Sequence, residues 1–238
     1  MPFIVGLISP AVLQEALRGK NSLEQIKKCK ILEIRYDLFK IDEWGDLAGK
    51  VAELNRNAIL LGTIRLEKDG GMWENNRESE RFAEFEKILS NAKKVDWIDI
   101  ERGVNFSLTG VKVIRSWHLF DRVPTAKELN DFAEECLQNK ADGCKVATMP
   151  HTKSEVQVLY DFAKKYGEKF EWFSAFGMGE IGQESRVRSL KEGANLTYAC
   201  IGKSLAPGQL TVNEIFHSLW HGEKRIGKVG SFFDGHFG

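Results

Sequence analysis

The chain has 238 residues, enough for one large domain or two small ones, and with 42% hydrophobic and 29% charged residues it has the balance of an ordinary globular protein. Lys+Arg and Asp+Glu both total 34, so the formal net charge of +0 gives no electrostatic reason to expect nucleic acid or an anionic membrane as partner. No run approaches the roughly 18 apolar residues of a membrane helix, which leaves a small molecule as the expected partner.

The start, Met1 to Pro10, is apolar but lacks a basic leader and a cleavage pattern, so it reads as a first strand. Eight runs read as strands: Phe3–Ser9, Ile31–Phe39, Ile59–Arg65, Val95–Glu101, Lys112–His118, Gly143–Thr148, Glu171–Gly177 and Thr197–Gly202. Helical patterns lie between most of them. Ser9-Pro10 is an N-cap followed by proline at the first helical position. Asp46 to Leu54 is a weaker helix. Arg77 to Lys93 places Phe82, Phe85, Ile88 and Leu89 on one face. Pro124 to Leu137, Ser154 to Tyr166, Ser185 to Glu192 and Val212 to Trp220 repeat the theme.

Strand–helix alternation predicts an α/β fold with a parallel sheet, and eight strands suggest closure into a single (β/α)8 TIM barrel over residues 1–221. The link between the fourth and fifth strands, Arg102 to Val111, has room for barely one turn of helix. Residues 222–238 read as a glycine-rich tail to which no function is assigned. The cysteines, Cys29, Cys136, Cys144 and Cys200, are scattered without a CxxC pair or a histidine cluster. They predict reduced thiols in a cytoplasmic protein, with no metal site.

Chemistry in such a barrel sits at the C-terminal ends of the strands, and here those ends are polar. The second strand carries Glu33, Arg35 and Asp37, which alternation puts on one face. Arg65, Asp99 with Glu101, and His118 follow on the third, fourth and fifth. The sixth contains Lys145, in the apolar run Gly143 to Thr148. After the seventh come Gly177 to Gly182 and then Ser185-Arg186, and after the eighth Ala206-Pro207-Gly208-Gln209.

A buried ammonium costs several kcal/mol unless it is paired or becomes a neutral amine, and a neutral amine attacks ketones. Nearby Arg35 or Arg65 would favour that neutral form. Loss of water then gives a protonated imine, an electron sink that eases removal of the adjacent proton. Histidine takes and returns a proton near neutral pH, and a hydroxyl one carbon further on is expelled. Arginine suits a carboxylate, and Arg186 at a helix start would have the dipole beside it. Singly, each residue has a bland reading: Glu33 with Arg35 as an ion pair, His118 as a core histidine, Lys145 snorkelling to the rim. The bare residues also admit another Schiff-base barrel of class I aldolase type, or a catalytically silent metabolite-binding barrel.

Seven motifs in order carry a family resemblance. They are Glu33-Ile34-Arg35-Tyr36-Asp37-Leu38, Thr63-Ile64-Arg65 with Gly70-Gly71, Asp99-Ile100-Glu101, Ser116-Trp117-His118-Leu119-Phe120, Asp142 to Ala147, Met178-Gly179 with Ser185-Arg186, and Ala206 to Gln209. With these the chain resembles the type I 3-dehydroquinate dehydratases of the shikimate pathway, which serves aromatic amino acid biosynthesis. The resemblance implies a lyase without cofactor or metal that turns 3-dehydroquinate into 3-dehydroshikimate. It implies Lys145 as the imine-forming residue, His118 as general base and acid, and Arg186 on the carboxylate. Glu33, Arg35, Arg65 and Gln209 would surround the hydroxyls, and the assembly would be a homodimer. The family's glutamate that orients the histidine is Asp69 here, with Glu67 nearby. Leu205 replaces a serine, with Ser204 one place earlier, and Gly6 stands where many members carry serine.

Overall fold

The computed structural model describes residues 2–19, 21–91, 95–104, 108, 110–202 and 208–220. Its eight strands are β1 (Phe3–Ile8), β2 (Ile31–Arg35), β3 (Ile59–Thr63), β4 (Trp97–Glu101), β5 (Lys112–Leu119), β6 (Gly143–Thr148), β7 (Trp172–Gly177) and β8 (Leu196–Ala199). They form one parallel sheet in the order β7-β6-β5-β4-β3-β2-β1-β8. The sheet curls until its two end strands meet, giving the (β/α)8 barrel expected from the strand count. At the seam the Asn195 side chain accepts from Phe173 N at 2.8 Å, and Ser174 Oγ donates to the Leu196 carbonyl at 3.0 Å. Asn195 N also donates to the Phe173 carbonyl at 3.1 Å, so side chains of β7 and of the residue before β8 add to a sparse backbone pairing.

The helices are α1 (Pro10–Leu17), α2 (Asn21–Lys28), α3 (Leu47–Leu54), α4 (Glu78–Ser90), α5 (Ala126–Gln138), α6 (Lys153–Tyr166), α7 (Gly179–Gly182), α8 (Ser185–Arg188) and α9 (Val212–Trp220). Ser9 caps α1 and accepts from Val12 N, with Pro10 at the first turn as its sequence predicts. Thr125 and Thr152 open α5 and α6 through capping boxes with Glu128 and Glu155. The helix α2 escaped the sequence reading because only Leu23 and Ile26 mark its apolar face. Asn55 Nδ2 fixes its end, donating to the carbonyls of Ile26 and Cys29 at 3.0 Å each. Between β4 and β5 no helix occurs among the described residues, as the short link required.

Two differences from the sequence expectations bear on the site. The second strand ends at Arg35, and Tyr36–Leu38 turn into a 3-10 helix. Asp37 therefore does not share a strand face with Glu33. It folds back onto Arg35 instead. The helix expected over Ser185 to Glu192 is a single α-turn, Ser185–Arg188, followed by the 3-10 turn Ser189–Lys191. One turn carries little of the macrodipole of a longer helix, so any anion there must be held mainly by Arg186 itself. Leu205, Ser204, Ala206 and Pro207, the end of the helix expected over Arg77 to Lys93, and the tail 222–238 lie outside the described residues.

Alternation gives the sheet two faces. Outward residues such as Leu32, Ile34, Ile98, Ile100, Val146 and Phe173 pack under the helices. Inward residues fill the barrel. Its lower part is apolar, built from Val5, Ile31, Leu61, Ile114 and Leu196 around Trp97 and Trp172, which stack at 3.6 Å. Two residues further along the same strands the interior becomes polar.

Candidate active site

That polar level consists of Glu33, Thr63, Asp99, Ser116, Lys145 and Ser174, all buried. Each follows its lower-level partner by one pleat: Ile31 then Glu33, Trp97 then Asp99, Ile114 then Ser116. Strand register puts Ser116 beside Lys145, and Lys145 beside Ser174. His118 lies one pleat above Ser116 on the same inward face of β5.

Lys145 Nζ sits 3.2 Å from Asp99 Oδ2 and 3.7 Å from Glu33 Oε1, and 4.0 Å from the centre of the Tyr198 ring. Its nearest charged neighbours are thus carboxylates, not the arginines expected to hold it neutral. Those arginines are occupied. Arg65 grips Asp99 through both terminal nitrogens at 3.0 and 2.7 Å, and donates to Ser116 Oγ at 2.8 Å and Glu101 at 3.3 Å. Arg35 is held by Asp37 at 2.9 and 2.7 Å. Burial alone would push the Asp99 carboxyl up, but Arg65 and Lys145 outweigh it and hold it well below the usual carboxylate range. Burial likewise works against the Arg65 cation, and Asp99 and Glu101 more than reverse it.

The fully buried Arg81 of α4 completes this network. It donates to Glu101 Oε2 and to the Ile64 carbonyl, while Glu101 Oε1 accepts from Arg65 and from Leu66 N. Glu33, Asp99 and Glu101 are so matched by Lys145, Arg65 and Arg81. Such pairing is needed, since an uncompensated buried charge costs several kcal/mol.

Arg186 breaks the balance. It is buried, donates to the carbonyls of Gly208 and Tyr198 at 3.2 Å each, and lies 4.2 Å from the Phe176 ring centre. No carboxylate pairs with it among the described residues. Burial lowers its pKa to about 10, which still leaves it cationic at neutral pH. The loop that presents it is packed tightly rather than loose. Gly177 N donates to Ser185 Oγ at 2.7 Å, and a Cβ on Gly182 would lie 2.3 Å from Gly177 C. Gly208 has φ +73°, and a Cβ there would lie 1.8 Å from the Gly179 carbonyl oxygen. Gln209 follows directly.

His118 stands above this level on β5, and Asp69 lies in the loop after β3, within electrostatic reach of Glu101, Arg65 and Asp99. Burial, then Arg65 and Lys145, push the His118 pKa well below 6.5, so the imidazole rests neutral. Its Nδ1 and Asp69 Oδ2 are both buried without a hydrogen-bond partner, so the bond between them is unmade. Burial and the Glu101 carboxylate raise Asp69 to about 6. Glu67 is exposed. The Gly70-Gly71 pair lets the Asp69 loop cross the strand end: a Cβ on Gly71 would lie 2.0 Å from the Arg65 carbonyl oxygen. Met72 N then donates to Asp37 Oδ2 at 3.1 Å. Among the described residues, no group of three His, Cys, Asp or Glu side chains is arranged to hold a metal.

A buried lysine, a neutral histidine and an unmatched arginine around one polar volume suit the chemistry of a ketone bearing a carboxylate. A family model described as type I 3-dehydroquinase matches residues 9–221. The chain belongs to the type I 3-dehydroquinase family. The 3-dehydroquinate dehydratase of Methanococcus maripaludis is 31% identical over 216 residues, spanning 87% of this chain and 94% of the relative. That of Lactococcus lactis subsp. cremoris is 29% identical over 229 residues, spanning 90% and 94%. The crystal structure of 3-dehydroquinate dehydratase from Geobacillus kaustophilus shares the fold, with a TM-score of 0.75 at 24% identity over 92% of this chain and 90% of the other.

Within this family frame, Gly6 has a local reason. A Cβ there would lie 2.5 Å from Cys29 Sγ, so a serine would fit only if Cys29 shifted. The sequence reading picked out Lys145, His118, Glu33, Arg65 and Arg186 near the site. It missed Arg81 and Tyr198, and it left Asp99 in a motif without a role.

Proposed function

We propose that this family member dehydrates 3-dehydroquinate to 3-dehydroshikimate through an imine on Lys145, with His118 as general base and acid. The observation that carries this reading is Lys145, buried in the polar half of the barrel between Asp99 and Glu33 and on the same inward level as Ser116, one pleat below His118.

Asp99 and Glu33 stabilise the ammonium before substrate arrives and the cationic imine after it forms. The overall step is balanced: an ammonium and a ketone give a protonated imine and water, both water protons coming from nitrogen. His118, neutral at rest, removes the proton from the carbon next to the imine. The pair of electrons moves into the enamine and expels the hydroxyl one carbon further on, which leaves as water with the proton that His118 had taken. Hydrolysis of the imine frees the product. Arg186 binds the substrate carboxylate, the anion its burial leaves it without. Asp69 orients His118 through Nδ1 once substrate has drawn the loop in. Glu33, Arg35, Arg65 and Gln209 line the hydroxyl side, Arg65 chiefly by fixing Asp99 and Glu101. A homodimer in the cytoplasm belongs to the same reading; sedimentation tests the first and cell fractionation the second.

Reduction with borohydride in the presence of 3-dehydroquinate, followed by peptide mapping, tests the mechanism. The expected result is one adduct per chain, on Lys145, and none in Lys145→Ala. An adduct on another lysine overturns the assignment.

A further inference from the structure

The Tyr198 hydroxyl is a polar group placed where it has nothing to do in the free protein. Tyr198 is 8% exposed, and its oxygen is buried without a hydrogen-bond partner. An unsatisfied buried hydroxyl costs about 1–3 kcal/mol relative to an apolar group of the same shape. Phenylalanine would fill the same space without that cost. Residue and ring are both held: the Tyr198 backbone carbonyl accepts from Arg186, and the ring lies 6.0 Å from that of Phe176. Its face lies 4.0 Å from Lys145 Nζ, so an oxygen on a carbon bonded to that nitrogen would come within reach of the ring's hydroxyl edge.

We propose that Tyr198 is a further catalytic residue, whose hydroxyl donates a hydrogen bond to the ketone oxygen as Lys145 attacks the carbon. The inference rests on the Schiff-base reading above and adds a residue to its first step. In that step Lys145 passes one ammonium proton to the neutral His118, which later returns it to the departing oxygen, and attacks as the amine: the N–C bond forms, the carbonyl π bond breaks, and its electron pair moves onto oxygen. The tyrosine keeps its proton throughout. Burial, with Glu33 and Asp99 nearby, holds the phenol well above its ordinary pKa, which suits a neutral donor and disfavours an acid. A donor fixed in advance toward a developing oxyanion needs no reorganisation during the reaction. The ring face serves the other atom, since a cation over an aromatic face is stabilised and the nitrogen is cationic both as ammonium and as protonated imine.

Tyr198→Phe separates the hydroxyl from the ring. Three quantities decide the matter, measured on the purified full chain with 3-dehydroquinate: the rate of borohydride-trappable adduct formation in rapid quench, kcat/KM, and the melting temperature. Trapping and kcat/KM are expected to fall by about 10²-fold, while the melting temperature stays level or rises because an unsatisfied polar atom has gone. An unchanged trapping rate overturns the proposal. So does a lowered melting temperature, which would show that the hydroxyl has a structural partner. A parent chain that traps nothing on Lys145 fails at the earlier reading, whereas a parent that traps normally beside an unaffected Tyr198→Phe fails only here.

Discussion

The lower and upper halves of the barrel interior come from the same strands, two residues apart, and are built on opposite terms. Below, Trp97 and Trp172 stack within a ring of aliphatic side chains, and none of these side chains keeps a buried polar atom without a partner. Above, three carboxylates and three cations are buried together, and Asp69, His118 and Tyr198 each keep an atom without a partner. The lower half gains from removing apolar surface from water, while a buried ionic network gains little or nothing over apolar packing. The difference teaches where stability and function are separable. Substitutions of the groups left unpaired above, His118, Tyr198 and Asp69, should cost activity at little cost in folding, removal of one member of the ion network should cost both, and substitutions below should cost folding alone.

The sharpest test is His118→Ala. Loss of the proton-transfer group should lower turnover roughly 10²–10⁴-fold, while borohydride still fixes substrate on Lys145. The melting temperature should hardly move, because Nδ1 had no partner to lose. Near-normal turnover would remove histidine from the mechanism and erase the contrast between the halves. The mirror experiment is Trp97→Ala. A buried tryptophan truncated in a stacked pair should cost about 3–5 kcal/mol in denaturant unfolding, with kcat close to the parent's well below the melting transition. A collapse in kcat without a fall in stability would mean that the lower half shapes the chemistry directly.

Arg186→Ala comes next in size. Losing a charge-assisted hydrogen bond to a carboxylate costs about 1.5–3 kcal/mol, so KM for 3-dehydroquinate should rise roughly 10- to 100-fold. An inhibitor without a carboxylate should bind as before. If both ligands weaken alike, Arg186 holds the loop around Gly177 and Gly208 rather than the anion.

How far the sequence announces these halves depends on the element. The period-two switch is legible, since Ile31 to Glu33 or Ile114 to Ser116 changes polarity along one face of a strand. Lys145 stood out because a cation in an apolar run demands a reason. Asp37 misled, because nothing local shows that the chain turns into a 3-10 helix at Tyr36 and so wraps the carboxylate around Arg35. Arg81 was missed among the many charges of its helix, yet its spacing to Phe85 and Ile88 places it on the buried face; the signal was present. Tyr198 gave none, because an aromatic residue on a strand reads as core until its hydroxyl is found without a partner.

The smallest expected effect discriminates within the upper half. The Asp69 carboxyl is raised from 3.8 to about 6, chiefly by burial and then by Glu101. A raised carboxyl binds its proton more tightly in the folded chain than in the unfolded one. Its favourable contribution is therefore complete below the unfolded value and is lost as pH rises through about 6. Asp69→Asn cannot ionise, so its melting temperature should gain on the parent's from about pH 4 to about pH 6 and hold that lead above it. Activity should move the other way. Only the carboxylate can hold His118 Nδ1–H firmly, so the parent should lose kcat below about pH 6, a limb that the neutral His118 with its lower pKa does not supply. In Asp69→Asn that limb should vanish and the plateau should drop severalfold. A limb that stays near pH 6 in the variant would exclude Asp69 as its source and leave His118 to be oriented by another group.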